Sequence, residues 1–353
     1  MAQGVQGRVT LKDVAARVGI SPAAVSMALS GRSRISAATV EQVKAAAAEL
    51  GYVPSSAAKA LRNQRSGVIA VIVPNSTQHV FGHSYFMQVL TGVSSAANER
   101  DLQVLVSTSA SEASGLTAYE RVMRSRTADG AIVTSSAIGD PNIERLTAGG
   151  LAVVLIGNYP ELPGTTSVGI DDVAASRMVT EHLIEVHGKR SLLHVTGPLD
   201  HQTAVDRREG FLDAVRAHGL LAASDVVEGD FSERAGYDAL DGRRLGADGF
   251  DGVVFANDDM AFGGLQLLRR TGLSVPGDVA VVGFDDFGLS RITDPGITTV
   301  HVPAEQMARL AAERLIPRIE DPTAAPTRDD LEVSLVLRES CGCAREDVVL
   351  LRN

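Results

Sequence analysis

From residue 68 onward the chain alternates short runs of β-branched and aliphatic residues with longer stretches of helical period. That alternation restricts it to a parallel α/β architecture. The runs VIAVIV (68–73), LQVLV (102–106), GAIVT (130–134) and AVVLI (152–156) carry almost no charge. Strands this apolar are buried on both faces, as in a parallel sheet covered by helices. Helices are predicted between them, near 84–99, 117–127 and 141–148. The alternation resumes with LLHV (192–195), VVF (253–255) and VAVVGF (279–284). Two successive βα series predict two doubly wound parallel-sheet lobes with right-handed connections. Ligands of such sheets sit beyond the carboxyl ends of the strands. With two lobes facing each other, that places them in the intervening cleft.

The residues that follow the strands are therefore the candidate ligand contacts. Asn257 follows one strand, Asp285 another, and Arg207 stands early in the helix after 192–195, while Tyr85-Phe86 lie beyond the first strand. A carboxylate, an amide, a guanidinium and aromatic faces suit a polyhydroxylated ligand. The spacing alone equally accommodates other roles. Asn257 and Asp258 also fit a helix cap, and Asp285 a turn. Arg207 also fits an ion pair with Asp206 or Glu209, and the two aromatics fit the core.

The amino-terminal segment differs in kind. Residues 1–65 hold nine Lys/Arg against three acids, or +6, while the rest of the chain carries 24 bases and 40 acids, or −16. A basic head on an acidic body suggests a polyanion-binding module whose body stays off the polyanion. Thr10 with Asp13 marks a helix start, and Leu11, Val14, Ala15 and Val18 share a face. Gly19 breaks this helix, Ser21 caps a second, and Pro22 takes its first position, where the missing N–H costs nothing. Ser36 caps a third helix that stops at Gly51. Helix, tight turn, helix and a supporting helix is the arrangement that places a second helix in the major groove; the pattern also fits an ordinary three-helix bundle, and the charge division favours the first. The outward residues of that second helix, Pro22, Ala23, Ser26 and Met27, are small or apolar. They favour contact with thymine methyls over bidentate hydrogen bonds. Beyond Pro54, a helix over Ala57–Leu61 is too short to persist alone. Leu61, between Lys59 and Arg62, fits either a minor-groove wedge or a contact with its dimer mate.

Other classes find little support. At 353 residues, two or three domains are expected. No apolar run approaches the roughly 20 residues of a membrane span, and no signal-peptide core opens the chain, so a cytoplasmic location is expected. The sequence offers no GxSxG elbow, phosphate loop or metal-ligand spacing, so neither an enzyme nor a cofactor is expected. The only cysteines, Cys341 and Cys343, have no matching Cys/His spacing and are expected to be reduced thiols, with a redox role as the alternative.

The stretch VTLKDVAARVGISPAAVSMALSG…ISAATVEQVKAAAAELGYVPSSAAKALR resembles the head and hinge of the LacI/GalR bacterial transcriptional regulators. TGPLDHQTAVDRREGF, EGDFSERAGYDAL, FANDDMAFGGLQLLRRTGLSVPGDVAVVGFDD and LVLRES resemble that family's sensor motifs, in the family's order. The resemblance implies an all-α helix-turn-helix head (8–54), a hinge helix and linker (55–67), and an α/β periplasmic-binding-protein-like sensor (68–345). Lobe 1 is expected at about 68–165 and 298–325, and lobe 2 at about 166–297 and 326–345. It implies a homodimer, possibly tetrameric, on pseudo-palindromic operator DNA, switched by a sugar or sugar derivative. DNA contacts are expected at Thr10, Ser21, Pro22, Ala23, Ser26, Met27, Arg34, Tyr52, Ala58, Lys59 and Leu61. By motif position, effector contacts carry over to Tyr85, Phe86, Arg207, Phe231, Asn257 and Asp285, with Asp171 after the strand-like SVGI. His201 stands where purine-binding members carry an arginine, which disfavours a purine. Asn158 stands where some members use an aromatic.

Overall fold

The computed structural model describes residues 9–29, 35–52, 65–109, 116–321, 323–344 and 347–350. The chain divides into two compact units, with the boundary after Gly67.

The first unit is a three-helix head: α1 (Leu11–Val18), α2 (Pro22–Leu29) and α3 (Ala37–Leu50). The Asp13 carboxylate accepts from both the amide (2.8 Å) and the hydroxyl (2.7 Å) of Thr10, which pins the start of α1. Gly19 ends that helix in the left-handed region, φ 74°, which a side chain would resist. Ser21 Oγ accepts from the Ala24 amide at the start of α2, and Ser36 Oγ from the Thr39 amide at the start of α3. The core consists of small residues: Val14, Ala15, Val25, Ala28, Val43, Ala46 and Ala47. Their size lets helices this short approach closely, and Leu11, Ile20, Leu50 and Tyr52 close the edges.

The second unit holds two sheets. The first has the order β11-β5-β4-β3-β1-β2. Its strands are β1 (Val68–Ser76), β2 (Gln103–Ser109), β3 (Gly130–Thr134), β4 (Ala152–Ile156), β5 (Thr166–Gly169) and β11 (Arg328–Asp330), all parallel. Around it run α4 (Thr77–Gly82), α5 (Ser84–Asn98), α6 (Leu116–Ser125) and α7 (Pro141–Ala148). The second sheet has the order β13-β12-β10-β9-β8-β6-β7. It comprises β6 (Leu192–Thr196), β7 (Asp225–Glu228), β8 (Gly252–Phe255), β9 (Ala280–Asp285), β10 (Thr298–His301), β12 (Ser334–Leu337) and β13 (Asp347–Leu350). Its helices are α8 (Asp172–Glu185), α9 (Gln202–Ala217), α10 (Glu233–Leu240), α11 (Asp258–Thr271) and α12 (Leu289–Ile292). The last helix, α13 (Ala304–Glu320), returns to the first lobe. There Gly92 of α5 brings its backbone so near α13 that an added Cβ would lie 2.1 Å from the Glu305 carbonyl oxygen.

Every residue of β3, β6, β8 and β9 is buried, as the uninterrupted apolar runs require. The division between lobes differs from the expected one. The strand at 166–169 belongs to the first sheet, 298–301 to the second, and 328–330 to the first. The chain therefore changes lobes around residues 170–171, 302–303 and 331–333. These strands are three or four residues long and rich in Thr, Ser or Asp, so no apolar run announces them. The second sheet is also mixed rather than purely parallel, because β12 runs antiparallel to β10 and β13 antiparallel to β12.

Candidate functional site

In the head, Ser21, Pro22, Ala23 and Met27 lie on the exposed side of α2, with Met27 42 % exposed. Ser26 is half-buried, and Thr10 is exposed at the start of α1 with its hydroxyl on Asp13. Tyr52 packs, half-buried, against the head's core. Arg34, Ala58, Lys59 and Leu61 lie outside the described residues, as does the expected short hinge helix.

In the body, the carboxyl ends of β1, β3 and β4 face those of β6, β8 and β9 across a cleft. Tyr85, Phe86, His201, Arg207, Phe231, Asn257 and Asp285, all singled out from the sequence, line it together. Asp171 does not. Its carboxylate accepts from the Ala174 amide at 2.9 Å and caps α8, and the neighbouring Asp172 lines the cleft instead.

Arg207 is the hub. It rises from the first turns of α9 and is only 6 % exposed. Its Nε donates to Asp172 (2.8 Å), and its Nη1 donates to the Ala256 carbonyl and approaches Asp285 at 3.4 Å. The guanidinium carbon lies 3.7 Å from the centre of the Phe284 ring, a cation–π contact. It is thus a buried centre and not a surface ion pair with Asp206 or Glu209. Asp285 stands at the end of β9 with φ 116°, a backbone conformation that carries strain for any residue with a side chain. Burial pushes its carboxyl up to about 6, against the opposing pull of Arg207 and His83.

Asn257 caps a helix and also lines the cleft. Its Oδ1 accepts from the Met260 amide (3.0 Å) and caps α11, while its Nδ2 donates to the Phe231 carbonyl (2.9 Å) at the cleft wall. Asp258 is structural. It is buried and accepts from Thr299 Oγ1 (2.7 Å) and the Asp286 amide (2.8 Å), and burial raises its carboxyl well above the usual range. Phe231 sits at φ 67° with its ring over Gly197, where an added Cβ would meet the ring at 2.0 Å. Tyr85 and Phe86 form an edge-to-face pair with centroids 5.2 Å apart, and the Tyr85 hydroxyl pairs with Thr134 Oγ1 at 2.9 Å.

Several lining residues carried no readable signal in the sequence. His83, Ser135, Tyr159, Gln202 and Thr203 join the cleft through loops and helix starts. Asn158 lines it too, donating from Nδ2 to Asp206 across the lobes at 3.2 Å. Ser135 directly follows β3 and the others stand further beyond a strand end, among many polar loop residues that the strand-end pattern does not separate from one another.

The two cysteines are free thiols, as expected, but they have histidine neighbours that no spacing announced. His182 and His187 stand beside Cys341 and Cys343, with the four potential ligand atoms within 4.8 Å of one another. The pairs are separated by more than 150 residues of chain, which hides them from any spacing rule.

Residues 10–55 match the family described as "Bacterial regulatory proteins, lacI family", and residues 180–341 match the "Periplasmic binding protein-like domain". The regulator CelR of Thermobifida fusca is 35% identical over 338 residues, 94% of this chain and 98% of that one. The ribose operon repressor of Escherichia coli is 30% identical over 336 residues, 94% and 99% of the two chains. Among solved structures, a CelR–cellobiose complex superimposes with a TM-score of 0.70 at 34% identity, covering 94% of this chain and 100% of the other. A lac repressor dimer bound to operator and an anti-inducer superimposes with a TM-score of 0.81 at 26% identity, covering 94% and 99%. With a helix-turn-helix head, a two-lobed sensor and full-length relatives of this order, the chain belongs to the lacI family of bacterial transcriptional regulators.

Proposed function

We propose that the chain is a transcriptional repressor that binds a pseudo-palindromic operator as a symmetric dimer and is switched by a sugar or sugar derivative held between its sensor lobes. The observation that carries this reading is the chemistry of the cleft. Arg207, Asp172, Asp285 and Asn257 offer fixed donors and acceptors, and Tyr85, Phe86 and Phe231 offer apolar ring faces. Vicinal hydroxyls satisfy such groups in pairs, and the C–H face of a sugar ring stacks on aromatics. A CelR–cellobiose complex and a ribose operon repressor among the relatives support a sugar of one or two rings.

The effector contacts we assign are Tyr85, Phe86, His201, Arg207, Phe231, Asn257 and Asp285, with Asp172 in the place expected of Asp171. The DNA contacts are the exposed side of α2, with Thr10, Arg34, Tyr52, Ala58, Lys59 and Leu61. Phosphate contacts position the head, and the apolar side of α2 reads thymine methyls. Two heads on two half-sites require two-fold symmetry. Closure of the lobes around the effector changes how the pair of heads is held, so effector and operator alter each other's affinity reciprocally. The reading is a binding protein and not an enzyme. Asp172 and Asp285 are committed to Arg207, and Ser136 Oγ to Asp140 and Tyr119. Acting on chromosomal DNA places it in the cytoplasm.

The test is fluorescence anisotropy on DNA from the protein's own promoter region, after a melting screen against mono- and disaccharides. A sugar that stabilises the chain is expected to change operator affinity. Equal affinity with and without a saturating, stabilising sugar overturns the switch.

A further inference from the structure

We propose that His182, His187, Cys341 and Cys343 form a structural zinc site that fastens the carboxyl-terminal segment to the second lobe. His182 lies in the last turn of α8, and His187 follows just beyond the helix. Facing them is the turn after β12, where Glu339–Cys341 form a single 3₁₀ turn and Gly342 reverses the chain at φ 110°. That reversal brings the thiols of residues 341 and 343 to the two imidazoles. Gly342 is required twice over: its φ is disfavoured for any side chain, and an added Cβ would stand 3.1 Å from His187 Nδ1.

Four of the six separations are close to a tetrahedron's edges. With Zn–S of about 2.3 Å and Zn–N of about 2.0–2.1 Å, the edges come to about 3.3–3.4 Å for N···N and about 3.5–3.6 Å for N···S. His182 Nε2 and His187 Nε2 are 3.2 Å apart. Cys341 Sγ is 3.4 Å from His182 Nε2. Cys343 Sγ is 3.6 Å from His182 Nε2 and 3.4 Å from His187 Nε2. The whole set of four lies within 4.8 Å. A chain of hydrogen bonds needs each atom near only its next partner. Four donor atoms converging on one point is what a metal demands. Both histidines present Nε2.

The donor set decides the metal. Two thiolates and two imidazoles in a tetrahedron select zinc among the common divalent ions. Four protein ligands leave no open position, so the site is structural and not catalytic. Thr298 Oγ1 lies 3.0 Å from Cys341 Sγ, within donating distance of a thiolate, and Cys341 itself is 1 % exposed. All four ligands belong to the second lobe. The ion therefore joins the end of α8 to the segment that leads into β13, the outermost strand of that sheet. An edge strand reached through a short turn gains from such a staple, since metal binding to the folded form adds its free energy to stability.

The experiment uses the full chain, purified under reductant without a polyhistidine tag from zinc-supplemented cells. Elemental analysis is expected to find about one zinc ion per chain. The stripped protein is expected to give, with cobalt(II), the visible bands of a tetrahedral ion and thiolate charge transfer in the near ultraviolet, both displaced by zinc. Zinc is expected to raise the melting temperature of the stripped chain. Cys343→Ser and His187→Gln alter half-buried residues outside any helix, so each keeps the native circular dichroism and loses the cobalt spectrum. A fully reduced chain with no zinc and no tetrahedral cobalt spectrum overturns the proposal. So does a wild-type cobalt spectrum in the Cys343→Ser, His187→Gln double variant.

Discussion

His83 of the first lobe and Asp259 of the second meet across the cleft, with Nε2 and Oδ2 3.0 Å apart. His83 Nε2 also lies 3.2 Å from Asn257 Nδ2, so this contact joins the cleft-lining residues of the two lobes. Like the Asn158–Asp206 bond, it is a polar tie between the lobes.

The contact predicts a pH dependence. Burial disfavours the His83 cation, but the hydrogen bond and charge of Asp259 outweigh it, and the pKa is raised above the ordinary 6.5; Asp285 adds to the rise and Arg207 opposes it. A raised value stabilises the closed lobes fully below about pH 6.5, and that stabilisation is lost as pH rises through the raised value. We expect Asp259→Asn to cost about 1 kcal/mol near pH 6 and much less near pH 8. Melting curves of both proteins across that range check it, and a pH-independent difference would sink the idea.

Asp285 works in the opposite sense. Its carboxyl is raised to about 6, so the ionised form burdens the folded state above that pH, and the burden vanishes as pH falls toward the ordinary carboxylate value. A shift of about two units corresponds to up to about 3 kcal/mol. The near-isosteric Asp285→Asn should therefore melt higher than the parent at pH 7 to 8, with the gap closing near about pH 4. The same change should remove the melting shift given by the effector and leave operator binding intact. A variant less stable at neutral pH would refute this account of the carboxylate.

Gly197 holds the place of the Phe231 ring. A methyl at residue 197 would stand 2.0 Å from the ring edge, so Gly197→Ala must expel it from the cleft wall. Loss of one aromatic contact of about 1–1.5 kcal/mol should weaken the effector about tenfold. Calorimetric titration with the stabilising sugar measures it, and unchanged affinity would show that the ring is not a ligand contact.

Met27 is the largest exposed side chain on α2. Met27→Glu sets a carboxylate against the phosphates and should lower operator affinity at least about tenfold at moderate salt. The sensor's melting shift with effector should not change. Equal operator binding by anisotropy would exclude α2 as the reading helix.

Which parts were legible follows from the kind of signal each one sends. The head was readable residue by residue, because its caps and breaks are local: Thr10 with Asp13, Gly19, Ser21 and Pro22, Ser36 and Gly51 all act within one turn of chain. Seven of the eight sensor candidates line one cleft, and the exception is Asp171, where a one-residue difference decides between capping α8 and facing the cleft. The lobe boundaries slipped because β5, β10 and β11 are short and polar, and only pairing with neighbours decides which sheet each one joins.

By itself the sequence determined the head's helices, the apolar strands with the helices between them, the charge division between head and body, and the family, since caps, glycines, apolar runs and motif order are properties of neighbours along the chain. Only the tertiary structure decided where the chain changes lobes, that Asp172 and Asp285 share one buried guanidinium, and that two histidines meet two cysteines. Those relations join residues that are dozens to more than a hundred positions apart. Burial and pairing at that range come from packing the sheets and helices together, and no local pattern encodes them.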